Sequence, residues 1–407
     1  MSKFSLRARW VLPVDGSPLK NGVVSIDQGR IVAVEQSPKV TKDIQDIGDV
    51  ILLPGLVNAH THLEFSDLAR PLGGPAMPLP DWIRQVIGNR KRGDRDAATA
   101  VQKGISESLR AGVTTIGEIS TAGSSASKKF QGAHLVAFDE VIGFSSGRTT
   151  SILIDVAHRV ELMEAQGVRC SRGISPHAPY TVHPELLKRL VDLACDKGLP
   201  VAMHLAESRE ELELLATGTG PFQQLLLDRS MWDPEAIPHG SMPLDYLRML
   251  SEAPRALVIH GNYLSDVEIQ FLAEHRAHMS VIFCPRTHAY FGHDPYPLQR
   301  MLDAGVRVAA GTDSRASNPD LNLLSELRWI AEQFPVISPA SIIQLGTLNG
   351  AEALGLAQET GSLTPGKWAD IIALPCPADA DPYEVLLRTN ANPQTVWIRG
   401  ENCELAH

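Results

Sequence analysis

Cysteine is sparse and unpatterned: Cys170, Cys195, Cys284, Cys376 and Cys403 are all there is in 407 residues, and no two form a C-x-x-C spacing. An odd, dispersed set argues against a disulfide framework and for a reducing compartment. An excess of positive charge is also missing. Lys and Arg total 37 against 47 Asp and Glu, a formal net charge of −10. That balance argues against a nucleic-acid polymer as the main partner, although a local arginine can still hold a small anionic substrate. No apolar run reaches the length of a membrane span, so no membrane partner is expected. The opening MSKFSLRARWVLPVDG carries arginines where a secretion signal needs an unbroken apolar stretch. Tandem repeats and low-complexity tracts are absent too. These absences together lead to the expectation of a cytoplasmic globular protein.

Hydrophobic residues make up 43% of the chain, enough for a large core. Eight apolar, β-branched runs alternate with helix-like segments: Ile51–Ala59, Val113–Glu118, His134–Ile142, Arg169–Ser175, Pro200–His204, Ala256–His260, Met279–Cys284 and Val306–Gly311. Amphipathic helices are expected over Pro184–Lys197 and Asp266–His275. Continuous apolar strands alternating with helices imply a parallel sheet covered by helices, and eight units imply an α/β fold of the (β/α)8 TIM barrel type. Both ends read differently. Val23–Asp27 and Ile31–Val34 flank a Gly-containing turn, and Ala369–Leu374 and Thr395–Gly400 read as further strands. A small β-sandwich domain formed by both termini is therefore expected. The boundaries fall at 1–53 and 361–407 for its two parts and 54–360 for the barrel. Loops are expected at Gly73–Pro80 and Gly123–Lys129.

Chemistry in such a barrel sits at the C-terminal ends of the strands. The first run ends LLPGLVNAHTHLE, with His60 and His62 one residue apart and so on one face of a strand. The fifth delivers His204 and then Glu207, the sixth His260, the eighth Asp313. Any one of these alone reads as a core histidine or a helix cap. Their coincidence at one end of one barrel points to a shared metal site. His60, His62, His204 and Asp313 are assigned as ligands, with His260 either a ligand or a hydrogen-bond partner of water and substrate. Mixed nitrogen and oxygen donors suit one divalent ion, zinc first, with Fe2+ or Mn2+ left open. Such an ion lowers the pKa of bound water from about 15.7 to about 7. Glu207, just past the strand, is placed to take a proton from that water and return it to substrate.

The set LLPGLVNAHTHLE, AGVTTIGE, SPHAPYTV, MHLAES, VIHGNYL, GTDSRASN and LTPGKWADIIAL resembles the amidohydrolase superfamily over nearly the whole chain. The branch it resembles holds cytosine and guanine deaminases, triazine chlorohydrolases and methylthioadenosine/S-adenosylhomocysteine deaminases. The resemblance implies a barrel plus sandwich, ligation by His60, His62, His204 and Asp313, and acid–base or substrate-contacting roles for Glu207 and His260. The fourth run ends GISPHAP without the lysine that bridges two metals in binuclear relatives, so one metal is expected. The implied reaction is hydrolytic deamination of an aminated heterocycle, with Asp313 helping to pass a proton to the departing ammonia. Adenine nucleosides of the aminodeoxyfutalosine, methylthioadenosine or S-adenosylhomocysteine type are the expected substrates. Trp82 in MPLPDWI and His177 in SPHAPYTV match ligand-covering and nucleoside-contacting positions. Glu118, Glu140 and Arg148 are pocket candidates. CPRTHAYFGH departs from the methylthioadenosine deaminase form toward that of aminodeoxyfutalosine deaminases, and there Arg286 is expected to clamp a substrate carboxylate. Guanine or cytosine deamination, C–Cl displacement or cyclic amide opening on the same site is the alternative, and a non-catalytic binding barrel a further one. Relatives often form homo-oligomers.

Overall fold

The computed structural model describes residues 3–36, 44–91, 96–121, 132–165 and 171–403. Eight strands make one sheet: Leu56–Thr61 (β1), Val113–Ser120 (β2), His134–Val141 (β3), Ser171–Pro176 (β4), Val201–Leu205 (β5), Ala256–His260 (β6), Met279–Phe283 (β7) and Val308–Ala310 (β8). Each pairs in parallel with the next. The rim is drawn together between β8 and β1, where the Thr312 and Asp313 N–H groups both donate to the His60 carbonyl at 3.1 Å. Asn58, fully buried on β1, adds two bonds across the same seam: its Nδ2 donates to Thr312 Oγ1 (2.8 Å) and its Oδ1 accepts from Thr312 N (3.1 Å).

The helices follow from apolar spacing. In Pro184–Lys197, the buried residues Leu186, Leu187, Leu190, Val191 and Ala194 recur at three and four, the period of one helical face. Pro184 opens the helix where no N–H is needed, the His183 ring accepts from Glu185 N, and Gly198 at φ 65° ends it in the left-handed region. Burying one such leucine is worth about 2 kcal/mol. No helix among the described residues is long and apolar enough to cross a membrane.

The expected first strand, Ile51–Ala59, is two strands. Val50–Pro54 belongs to the terminal sandwich and β1 to the barrel. Gly55 makes the break: a Cβ there would lie 2.1 Å from Thr114 Oγ1, so only glycine lets the chain pass β2. The sandwich has a four-stranded sheet (Arg30–Gln36, Gly22–Asp27, Phe4–Arg7, Ile44–Asp46) and a six-stranded one. In the latter, Ile371–Pro375 pairs antiparallel with Val50–Pro54, so the two ends of the chain share one sheet. The core between the sheets is Leu6, Val24, Ile26, Leu52, Ile371 and Trp397 with their neighbours. The last expected strand stops at Ile398, and the chain turns back at Arg399 and Gly400 into Glu401–Cys403. The loop expected at Gly123–Lys129 and the first two residues of the expected fourth strand, Arg169 and Cys170, lie outside the described residues.

Candidate metal centre and active site

Five side chains from four strand ends meet at the rim. His60 and His62 close β1, His204 sits on β5, His260 ends β6 and Asp313 follows β8. One donor atom from each of His60, His62 and His204 lies within 4.8 Å of the others, and the same holds for His60, His260 and Asp313. His62 Nε2 faces His204 Nε2 at 3.4 Å, and Asp313 Oδ1 is 3.7 Å from His60 Nε2 and 3.8 Å from His62 Nε2.

The backbone is bent to achieve this. Ala206, His260 and Asp313 adopt φ of 53°, 69° and 56°, a left-handed conformation that costs non-glycine residues about 1–3 kcal/mol each. Each bend is held by hydrogen bonds. Tyr296 Oη donates to the His260 carbonyl (2.8 Å), Thr61 Oγ1 donates to the Asp313 carbonyl (2.7 Å), and Ala206 N donates to the Glu211 carboxylate (2.8 Å).

Both nitrogens of His60 are buried and lie within hydrogen-bond distance of no acceptor or donor among the described residues, and the ring is fully enclosed. Buried polar atoms left bare are costly, so their presence argues for a ligand between them. The tautomer of His204 agrees. Its Nδ1 donates to the His177 carbonyl at 3.0 Å, which leaves the Nε2 lone pair facing His62. Two donors about 3.3 Å apart are what two nitrogens at about 2.0–2.1 Å from one tetrahedral zinc present. The residues therefore fit a single divalent cation. Burial, and then the neighbouring imidazoles His60 and His204, hold His62 well below its usual pKa; burial does the same to His204 and His260. All three rings are thus neutral and able to ligate. Burial opposes ionisation of Asp313, but contact with His60 and the proximity of His260 and His204 outweigh it and hold the carboxyl below its ordinary range. Ser317 Oγ donates to Asp313 Oδ2 (3.1 Å), which leaves Oδ1 toward the histidines.

Glu207 is buried, and its Oε1 lies 3.4 Å from His260 Nε2. Burial, and then the charge of Asp313, raise its pKa well above the usual carboxylate range. The pair opens onto a cavity of about 420 Å³ with mostly apolar walls, a volume typical of a small-molecule site. Helix Leu79–Arg90 supplies Leu79, Trp82, Ile83, Val86, Ile87 and Arg90 to one wall; helix Pro221–Asp228 supplies Leu225 and Leu226.

Of the residues singled out in the sequence, His62, His204, His260, Asp313, Glu207, Trp82 and His177 line this cavity, with His60 beneath them. Trp82 is anchored by its Nε1, which donates to the Ala316 carbonyl (3.1 Å). His177 packs its ring 5.1 Å from His204, shares a hydrogen bond with Thr181 Oγ1 (2.7 Å), and is lowered to about pKa 3 by burial and by Arg90. Three expectations need correction. Arg286 does not line the cavity: its guanidinium is engaged by Glu326 (2.6 Å) and Asp320 (2.6 Å), so no fork is left for a substrate carboxylate. Arg148 sits exposed on the turn Ser146–Arg148, outside the cavity. Glu118 is fully buried behind the rim, where Oε2 accepts the Leu63 N–H (2.9 Å) and fixes the turn after His62. Glu140, by contrast, does line the cavity, within 3.5 Å of Arg90. Sequence reasoning missed Arg90, whose Nη2 is 2.6 Å from Glu64 Oε1. It also missed Asn262, which donates to the Glu207 carbonyl (2.8 Å). Asn262 stands two residues after a strand-end histidine, and that proximity was the available signal.

A nearly closed parallel barrel with imidazoles and a carboxylate gathered at its C-terminal rim defines a hydrolase whose site fits a divalent cation. A family model described as the amidohydrolase family matches residues 51–403, and the chain belongs to that family and is a hydrolytic enzyme acting on carbon–nitrogen bonds. The 5-methylthioadenosine/S-adenosylhomocysteine deaminase of Moorella thermoacetica is 29% identical over 427 residues, covering 98% of this chain and 94% of its own length. Among solved structures, an adenosine deaminase from Xanthomonas campestris with bound zinc matches with a TM-score of 0.81 at 25% identity, over 98% of this chain and 92% of that one. The aminofutalosine deaminase of Helicobacter pylori in complex with methylthio-coformycin shares the fold, with a TM-score of 0.85 at 23% identity over 98% of this chain and 100% of that one.

Proposed function

We propose that this protein is a hydrolytic deaminase of adenine nucleosides, replacing the exocyclic amino group with a carbonyl oxygen from water and releasing ammonia. The observation that carries this reading is the contact of Glu207 with His260 on the wall of an apolar cavity, directly beside the ligand-type cluster. The kinship to a methylthioadenosine/S-adenosylhomocysteine deaminase supports the nucleoside assignment.

His60, His62, His204 and Asp313 would hold the cation, with His260 beside them. When bound, it supplies the Lewis acidity that makes water nucleophilic near neutral pH. The chain's own groups do the rest. Glu207 carries one proton from the attacking water to the ring nitrogen next to the carbon under attack, and its raised proton affinity suits it to hold that proton between the two steps. His260 Nε2 keeps the Glu207 carboxyl facing the cavity. Asp313 carries the second proton to the departing amine. The apolar walls exclude bulk water, and Trp82 and His177 present flat rings to the base.

The test is ammonia release by zinc-loaded protein from adenosine, methylthioadenosine, S-adenosylhomocysteine and aminodeoxyfutalosine, beside guanine and cytosine. Turnover of at least one adenine nucleoside well above both free bases is expected. Preference for guanine or cytosine, or no ammonia from any of them, would refute the assignment.

A further inference from the structure

A second carboxylate, with no place among the ligand-type residues, grips the turn that carries Glu207 from behind. Glu211, in helix Arg209–Thr217, is fully buried. Its Oε1 accepts the Ala206 N–H and its Oε2 the Glu207 N–H, each at 2.8 Å. Ala206 is the left-handed residue of this turn, at φ 53°. The other side of the turn is tied as well, since Asn262 Nδ2 donates to the Glu207 carbonyl at 2.8 Å. Ser208 caps the same helix, its Oγ accepting the Glu211 N–H at 3.3 Å. An ordinary capping box needs the carboxylate only at the cap residue. Here it reaches beyond the cap, to the acid–base residue and the strained residue before it. With its N–H and carbonyl both bonded, Glu207 keeps only its side-chain torsions, and these bring Oε1 to 3.4 Å from His260 Nε2.

We propose that Glu211 is a positioning residue: its carboxylate bridges two consecutive N–H groups, locks the left-handed turn at Ala206 and thereby aims Glu207 at the reacting ring. This rests on the acid–base role assigned to Glu207.

The test is a double-mutant cycle of Glu211→Gln and Glu207→Gln, read as kcat, KM, zinc content and the pH profile of kcat. The amide of Glu211→Gln keeps one acceptor and turns a donor toward the second N–H. An ångström-scale misplacement of a catalytic group costs up to about 100-fold, so a kcat loss of about 10- to 100-fold is expected, with KM and zinc content unchanged and a shifted pH profile. In the Glu207→Gln background the same change should alter kcat by less than about two-fold, because the group it aims is already disabled. Equal losses in both backgrounds, or no loss in the first, would overturn the proposal. Turnover retained by Glu207→Gln alone would sink the acid–base reading and this inference with it; turnover lost there without coupling sinks Glu211 only. Should Glu211→Gln not fold, Glu211→Asp, too short to reach both N–H groups, enters the same cycle, and failure of both to fold would assign Glu211 to the fold and overturn the proposal.

Discussion

Replacing Arg286 by Met separates a structural arginine from a substrate clamp. The guanidinium donates through Nε to Glu326 Oε1 (2.6 Å) and through Nη2 to Asp320 Oδ1 (2.6 Å), and the Arg286 N–H binds Glu326 Oε2 (2.9 Å). Glu326 is fully buried, and its other partner is the Asn318 amide (2.7 Å). Methionine fills the volume of the side chain but strands the Glu326 charge. Breaking a buried pair from one side costs about 3–5 kcal/mol, which lowers the melting temperature by roughly 3–6 °C in a chain of this size. The sign with pH follows. Burial raises Glu326 already in the wild type, and losing Arg286 raises it further. Above the unfolded pKa the native state then binds more protons than the unfolded state, so the variant's deficit grows as pH rises through that window and shrinks in acid. Adding Glu326→Gln, which keeps an acceptor and drops the charge, should recover at least half of the loss. The assays are thermal and urea unfolding of the three proteins at pH 5 and 7, with KM for carboxylated and uncarboxylated adenine nucleosides. A stability change below about 1 kcal/mol together with a selective rise in KM for the carboxylated substrate would refute the reasoning and restore the clamp.

Other expectations follow from the same geometry. Glu207→Gln should keep its zinc, measured by elemental analysis, while kcat falls by about 10²- to 10⁴-fold, the usual worth of a general acid–base group; near-wild-type kcat would remove Glu207 from the chemistry. Stripping the cation with a chelator should destabilise the protein by about 4 kcal/mol relative to zinc at a thousand times its Kd, and readdition should restore the melting temperature; an unchanged melt after verified metal loss would contradict the ligand assignment. Burial holds His288 and His293 near pKa 4, below the unfolded value of about 6.5. The unfolded chain therefore binds more protons between those values, and stability is lost as pH falls from about 6.5 toward 4, by at most roughly 3 kcal/mol per ring. The doubly substituted His288→Gln, His293→Gln protein should show a shallower decline in its urea midpoint from pH 7 to 5, and an unchanged slope would exclude these rings as its source.

Local pattern carried the parts of this protein that depend on periodicity. The spacing of His60 and His62 put two imidazoles on one strand face, the apolar spacing of Pro184–Lys197 matched a helix to the residue, and alternating runs supplied the barrel. The meeting of His204, His260 and Asp313 with them followed because a parallel barrel brings every strand end to one rim. Partners separated by many residues left no such trace. Arg286 was read as a free cation because Asp320 and Glu326 lie 34 and 40 residues away, and only the packing of helix Leu323–Gln333 and the segment before it against helix Pro285–Phe291 brings them together. The single run Ile51–Ala59 hid two strands in two sheets, since its apolar pattern is continuous and only the close approach of Thr114 to Gly55 divides it. Arg90 and Glu211 were invisible for the same reason: their importance lies in what they touch. Side-chain periodicity is a property of neighbouring residues and can be read along a chain. Charge pairing, left-handed turns and the burial of both His60 nitrogens exist only once distant segments have packed.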